Sequence, residues 1–244
     1  MRIFGLVGYP LSHSFSKRYF TDKFQQENIH GCVYENFEAE NLRGFKDRLN
    51  LIGGLEGFNI TIPYKEKIIS LLDIQDEIVQ SIKACNCVHI SDGTWKGHNT
   101  DVPAFKKSFE KGLQPFHTKA LILGTGGASL AVRYVLRQLG LEIKMVSDSK
   151  VGDEYVSYNQ LTEEMIQSHP VIINCTPVGM YPSVNECPRI PYSGISSSHY
   201  LYDLIYNPEL TVFLQRGRQY GARVKNGYEM LVLQAEESWR IWNS

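Results

Sequence analysis

An excess of either sign of charge is missing from this chain. The formal net charge is −1 over 244 residues and no long Lys/Arg run occurs, so no global field draws the molecule to nucleic acid or an anionic membrane. Long apolar runs are missing too. None reaches the roughly 18 residues that span a bilayer, and residues 1–8 are too short, and too soon broken by glycine and Pro10, for a secretion signal. They read as a buried first strand, and the cytoplasm is the expected compartment. Cysteine is sparse and odd in number: Cys32, Cys85, Cys87, Cys175 and Cys187. Five scattered thiols fit a reducing compartment, not a disulfide framework. Cys85, Cys87 and His89 alternate, so a strand would put them on one face, but no second ligand cluster accompanies them at zinc spacing. No metal site is expected; buried free cysteines behave as small hydrophobes. Repeats and low-complexity tracts are also absent.

What remains is an ordinary globular composition. Hydrophobic residues make up 43% and charged residues 21%, enough apolar surface for a core. The length allows one large domain or two modest ones. Short apolar runs alternate with helical patterns. Strands are expected over 3–7, 33–37 and 57–62, with helices over 16–27 and 42–49 and short helices over 68–72 and 78–82. Residues 85–90, the turn Asp92-Gly93 and residues 95–97 read as a hairpin. This β-α-β-α-β pattern suits a mostly parallel sheet covered by helices. A connecting helix over 102–110 leads to a second series: strand 119–123, a glycine turn, helix 128–139 ended by Gly140, then strands 142–146, 171–174 and 200–205. A last helix spans about 229–242.

The turn Gly124-Thr125-Gly126-Gly127-Ala128 joins a buried strand to a helix. Backbone N–H groups at a helix N-terminus can hold a pyrophosphate. Gly124 permits the tight turn and Gly126 the close approach, while Ser129 takes the place of the third Rossmann glycine. About 20 residues on, an acid would bond the ribose hydroxyls of NAD and a cation would hold the 2′-phosphate of NADP. The run there is Ser147-Asp148-Ser149-Lys150. Asp148 favours NAD and Lys150 favours NADP, and both choices stay open at this point.

Two polar runs precede that turn: Gly57-Phe58-Asn59-Ile60-Thr61-Ile62-Pro63-Tyr64-Lys65-Glu66 and Gly97-His98-Asn99-Thr100-Asp101. In a strand Asn59 and Thr61 share a face, and the break at Pro63 would turn Lys65 towards the same cleft. Read alone, Lys65 fits a solvated helix beside Glu66 better than a site, and Asp101 fits a helix cap.

With Gly8-Tyr9-Pro10-Leu11-Ser12-His13-Ser14-Phe15-Ser16, Ala84-Cys85-Asn86-Cys87, Asn174-Cys175-Thr176-Pro177-Val178-Gly179-Met180, residues 203–208 and Met230-Leu231-Val232-Leu233-Gln234-Ala235 added in order, the chain resembles the shikimate dehydrogenase family over essentially its whole length. The resemblance implies reversible reduction of 3-dehydroshikimate to shikimate by NADPH, a step towards chorismate and the aromatic amino acids. It implies Lys65 and Asp101 as the catalytic pair, and Ser14 and Ser16 on the substrate carboxylate. Asn59, Thr61, Asn86 and Gln234 would hold ring hydroxyls or orient the ring, with Tyr206 lining the cleft. Gly227 and Met230 would lie by the nicotinamide. Gly124, Thr125, Gly126, Gly127, Ala128, Ser147, Asp148, Lys150 and Thr176 complete the expected cofactor set.

The expected fold is α/β: an N-terminal α/β substrate domain, residues 1–101 plus the helix 229–244, and a Rossmann-like doubly wound dinucleotide domain, 102–228. The active site is expected in the cleft of these two lobes. A monomer or homodimer acting on a small molecule, without nucleic acid or membrane, completes the expectation. Several positions depart from the family pattern. Cys87 stands where threonine is usual, His98 replaces a commoner acid or other polar residue, and Val102-Pro103 replaces a more flexible stretch. Glu229 stands for a frequent glycine. Asp148 stands for the arginine that grips the 2′-phosphate, which leaves NAD possible. An NAD-dependent quinate/shikimate dehydrogenase and a non-catalytic dinucleotide or metabolite sensor are the rival readings.

Overall fold

The computed structural model describes residues 1–11 and 15–244; Ser14 lies outside the described residues. The chain divides into two compact units, Met1–Thr100 with Ala235–Ser244, and Asp101–Gln234.

The first unit runs β1 (Arg2–Gly8), α1 (Phe15–Gln26), β2 (Cys32–Glu38), α2 (Phe45–Asn50), β3 (Leu55–Ile60), β4 (Ile74–Gln75), α3 (Glu77–Ile82), β5 (Cys87–Ser91) and β6 (Thr94–His98). The sheet order is β2-β1-β3-β5-β6-β4. β1 pairs in parallel with β2 and β3, while β5 runs antiparallel to both β3 and β6. The sheet is therefore mixed, because the β5–β6 connection is a tight hairpin. Asp92 and Gly93 both take positive φ, 49° and 74°, as the favoured two-residue turn requires.

Several boundaries differ from the sequence pattern for local reasons. The helix expected from residue 42 starts at Phe45, because Gly44 is left-handed at φ 59°. The segment Lys67–Leu71 is a 3₁₀ turn, not an α-helix. β3 stops at Ile60, and Thr61 enters a turn closed by the Tyr64 N–H to the Thr61 carbonyl, 2.9 Å; the residues before a proline resist helix and leave the ladder. Cys85 precedes β5, so it is not on a strand face with Cys87 and His89.

Aromatic packing joins this sheet to the chain's last helix, α8 (Tyr228–Trp242). Phe4 stacks on Trp242 at 4.8 Å, and Phe20 stacks on Tyr34 at 4.5 Å. On the other face Phe58 meets Trp95 edge-on at 4.9 Å. Trp242 is 2% exposed and donates its indole N–H to the Val88 carbonyl at 2.9 Å. The indole lies over Gly57, where any Cβ would collide with it.

The second unit runs α4 (Asp101–Phe109), β7 (Lys119–Leu123), α5 (Gly127–Gln138), β8 (Glu142–Val146), β9 (Tyr155–Val156), α6 (Glu163–Ser168), β10 (Val171–Asn174), β11 (Tyr200–Asp203), α7 (Val212–Gln219), β12 (Arg223–Lys225) and the first half of α8. Its strands are all parallel, in the order β12-β11-β10-β7-β8-β9. Counting from β7, this is the 3-2-1-4-5-6 order of the doubly wound dinucleotide fold. On one face Phe105 and Phe109 of α4 pack on Tyr200 and Tyr202. On the other, Ile166 of α6 and Phe213 and Leu214 of α7 pack on Leu121, Ile172 and Leu201. The sequence pattern did not mark β4, β9, α6, α7 or β12. Among the described residues no helix is long and apolar enough to cross a membrane.

Replacing Gly57 with alanine is expected to displace Trp242 and cost about 1–3 kcal/mol, the usual effect of overpacking. Thermal unfolding should record it as a fall in Tm of roughly 2–4 °C per kcal/mol at this chain length. An unchanged Tm would mean that the indole can shift without loss.

Candidate active site

In the first unit the polar motif residues converge on a buried hydrogen-bonded chain. Ser16, 9% exposed, lies on α1 near the Tyr34 phenol. Burial pushes that phenol far up, so it stays neutral, and it donates to Asn59 Oδ1 at 2.9 Å. The Asn59 amide then donates to Ser238 Oγ at 2.7 Å and to the Asn86 carbonyl at 3.2 Å. Asn86 donates to Thr100 Oγ1 at 3.0 Å and accepts from the Thr100 N–H at 2.7 Å. Thr100 Oγ1 lies 3.3 Å from Ser238 Oγ. Buried amides without partners are costly, and these hydroxyls satisfy them. Tyr34, Thr100 and Ser238 were not among the expected site residues. Thr100 was signalled only by its place before Asp101; Tyr34 and Ser238 had no signal.

Lys65 is half-buried in the turn after β3. Its backbone is held on both sides. The Lys65 carbonyl accepts from the Cys85 N–H at 2.8 Å, and the neighbouring Tyr64, 2% exposed, bonds through its hydroxyl to the Ala39 carbonyl. Thr61 stays half-buried, its N–H on the Val7 carbonyl at 2.9 Å. Asp101, 5% exposed, is the first residue of α4, where the helix dipole favours a carboxylate. Burial pushes the Cys85 thiol up to about 12 and holds the Cys87 thiol well above its ordinary value, so neither is a thiolate at neutral pH. Among the described residues no group of three or more His, Cys, Asp or Glu is placed to hold a metal ion.

In the second unit the expected cofactor residues follow the carboxyl ends of the parallel strands. Strand order reverses between β7 and β10, and such a switch point opens a ligand crevice. Gly124, at φ 95°, follows β7, and a Cβ there would meet the Thr176 methyl at 2.8 Å. Thr125 comes next, and Gly126 faces open space at the start of α5, with nothing within 4 Å of a Cβ position. Gly127 and Ala128 form the first turn of that helix. Ser129 is 1% exposed and donates to the Gly126 carbonyl at 2.7 Å, so its side chain closes the turn and leaves the N-terminus open. Ser147, 7% exposed, follows β8. Gly227, beyond β12, packs directly on the Leu204 backbone and donates to the Ile205 carbonyl at 3.0 Å. That brings it beside the segment carrying Tyr206, which is half-buried. Met230, 7% exposed, and Gln234, 9% exposed, lie on α8, and the Gln234 amide donates to the Leu231 carbonyl at 3.0 Å.

The family model for the shikimate dehydrogenase substrate-binding domain matches residues 6–88. The NADP(+) shikimate dehydrogenase of Methanococcus vannielii is 35% identical over 98% of this chain and 90% of its own length. The chain belongs to the shikimate dehydrogenase family. Solved structures share its fold. The shikimate 5-dehydrogenase of Thermus thermophilus, solved with NADP(H) and shikimate, is 28% identical with a TM-score of 0.86, over 99% of this chain and 93% of that one. The quinate dehydrogenase of Corynebacterium glutamicum, solved with NAD, is 26% identical with a TM-score of 0.87, again over 99% and 93%.

Where this shikimate dehydrogenase chain departs from its family pattern, the side chains have partners. His98 Nδ1 lies 2.9 Å from Asp76 Oδ2, and Asp76 also caps α3. Glu229 is bound by Lys111 and by Lys225, the latter at 2.5 Å, and these cations lower its carboxyl pKa. Asp148 is exposed and accepts the Tyr158 N–H at 3.0 Å, opening a 3₁₀ turn. Lys150, two residues on, is also exposed.

Below this surface Asn174, Asp203 and Thr211 are all fully buried. Asn174 donates to Asp203 Oδ1 at 3.0 Å and Thr211 to Asp203 Oδ2 at 2.7 Å. Thr176 donates to Asn174 Oδ1 at 2.6 Å. Burial pushes the Asp203 carboxyl up from 3.8 to about 6, although these donors favour the ionised form. Between those values the folded chain holds a proton that the unfolded chain releases. The resulting stability is complete below about pH 3.8 and is lost as pH rises through about 6. Asp203→Asn should remove this falling component from urea-unfolding free energies measured across that window. Identical pH dependence in parent and variant would mean that Asp203 does not titrate there.

Proposed function

We propose that the chain catalyses the reversible reduction of 3-dehydroshikimate to shikimate with NADPH. The observation that carries this is its 35% identity, over 98% of its length, to a curated NADP(+) shikimate dehydrogenase. The switch-point glycines support the cofactor. Gly124 at φ 95° and the open space at Gly126 leave backbone N–H groups of α5 uncovered by side chains, which suits a pyrophosphate. Gly124, Thr125, Gly126, Gly127 and Ala128 would hold it, with Thr176, Gly227 and Met230 nearer the nicotinamide. Ser147 and Lys150 would take the 2′-phosphoribose. Asp148 accepts the Tyr158 N–H through Oδ1, and the exposed Lys150 two residues on supplies the cation that suits NADP. When bound, the dinucleotide supplies the hydride.

Ser14 and Ser16 bind the substrate carboxylate, and Thr61, Asn86, Tyr206 and Gln234 contact or orient the ring. Asn59 stands behind them. Reduction of a ketone places negative charge on its oxygen. Lys65 stabilises that charge as an ammonium and donates its proton to the oxygen; in the reverse direction it takes the proton back. Asp101 keeps Lys65 charged, since an opposite charge favours the ionised form. The pinned backbone at Tyr64 and Lys65 supports this role, because a proton donor must be held in place.

Lys65→Ala should lower kcat by about 10²–10⁴, the usual worth of a positioned acid, with a much smaller change in KM for shikimate. Turnover near the parent level would remove Lys65 from the mechanism. Absorbance at the reduced-nicotinamide band, with shikimate offered first with NADP and then with NAD, tests the whole assignment. Faster turnover of quinate with NAD would move the chain to the quinate/shikimate class. Ligand binding without any turnover would make it a sensor.

A further inference from the structure

The buried chain in the first unit meets at one hydroxyl. Ser238 lies on α8 and has no solvent exposure. Its Oγ accepts from Asn59 at 2.7 Å, lies 3.3 Å from Thr100 Oγ1 and neighbours Cys87. Cys87 is itself the cross-strand partner of Asn59. Asn59 has two amide hydrogens, and both are committed, one to Ser238 Oγ and the other to the Asn86 carbonyl. Its carbonyl oxygen already accepts from Tyr34. Asn59 therefore has no donor left for a substrate hydroxyl. Asn86 differs: one amide hydrogen goes to Thr100 Oγ1, and among the described residues the second has no partner. The side chain able to reach a ligand is thus oriented by Thr100, and Thr100 by Ser238.

Resting on the function proposed above, we infer that Ser238 is a positioning residue for substrate. Its hydroxyl ties β3, through Asn59, to Thr100, and so sets both the Asn86 amide and the backbone entering Asp101. Asn59 acts in the same way, as a strut behind the substrate and not as a contact. A helix serine inside a buried network carries no motif of its own, yet Asn59 and Thr100 both meet its one oxygen.

Ser238→Ala and Ser238→Thr test the assignment, with Ser238→Cys, which keeps the volume but accepts hydrogen bonds weakly, replacing the alanine variant if that fails to fold. Three readouts are taken: KM and kcat for shikimate at saturating NADP, KM for NADP, and backbone hydrogen exchange at Thr100. Removing the hydroxyl should raise KM for shikimate by about tenfold, the equivalent of one hydrogen-bonded group, leave KM for NADP unchanged and accelerate exchange at Thr100. Ser238→Thr should restore both the shikimate KM and the exchange rate. An active parent whose folded alanine or cysteine variant keeps its shikimate KM within about twofold, or loses kcat alone, overturns the inference. A parent that does not turn over shikimate at all overturns the functional assignment, and this role with it.

Discussion

A polar side chain at the end of a buried strand cannot be left without partners, and both sheets of this protein are organised around that requirement. Asn59 near the end of β3 and Asn174 at the end of β10 are buried amides. An unpaired amide there would cost about 1–3 kcal/mol. In the first unit Tyr34, Ser238 and the Asn86 carbonyl pair with Asn59, and in the second Asp203 and Thr176 pair with Asn174. The loops that leave these strands are therefore anchored from beneath. Lys65 follows the anchored end of β3, Asn86 leads into β5 beside it, and Thr176 follows the anchored end of β10. Loops need such support if they are to present chemistry at a fixed geometry.

The doubly wound sheet was readable because its signals are local. The glycine turn, the buried runs 119–123 and 171–174 and the helix between them each fit a pattern a few residues long, and the strand order then follows from the rules for parallel connections. The elements that escaped notice are short or locally contradictory. β4 and β9 have two residues each. α7 carries Gly217, a poor helix residue, but there a Cβ would strike Leu201. Gly57 belonged to a legible motif, while its physical reason, the Trp242 indole, lies at the far end of the chain. Tyr34 and Ser238 were illegible for the same cause. Their importance comes from neighbours distant in sequence, and periodicity carries no information about those.

The unusual residues show how a family pattern tolerates exchange. Glu229 brings a charge to a position that often has none, and two lysines meet it. His98 takes Asp76 as its partner, and Asp148 takes a backbone N–H. Val102-Pro103 falls in the first turn of α4, where a missing N–H costs the helix nothing. Each departure is satisfied within its own unit, so neither sheet has to change.

The placement of Trp239 and Trp242 bears on how the polypeptide is made. The aromatic layer around Phe4, Phe20 and Tyr34 is completed only by the segment Ala235–Ser244. Synthesis proceeds from the N-terminus, so the ribosome releases the keystone of the first sheet after everything it covers. Until then the nascent first hundred residues must wait with part of their interior uncovered, while the doubly wound portion can assemble from contiguous sequence. Biogenesis thus inverts the written order: the portion translated second is the one able to finish first.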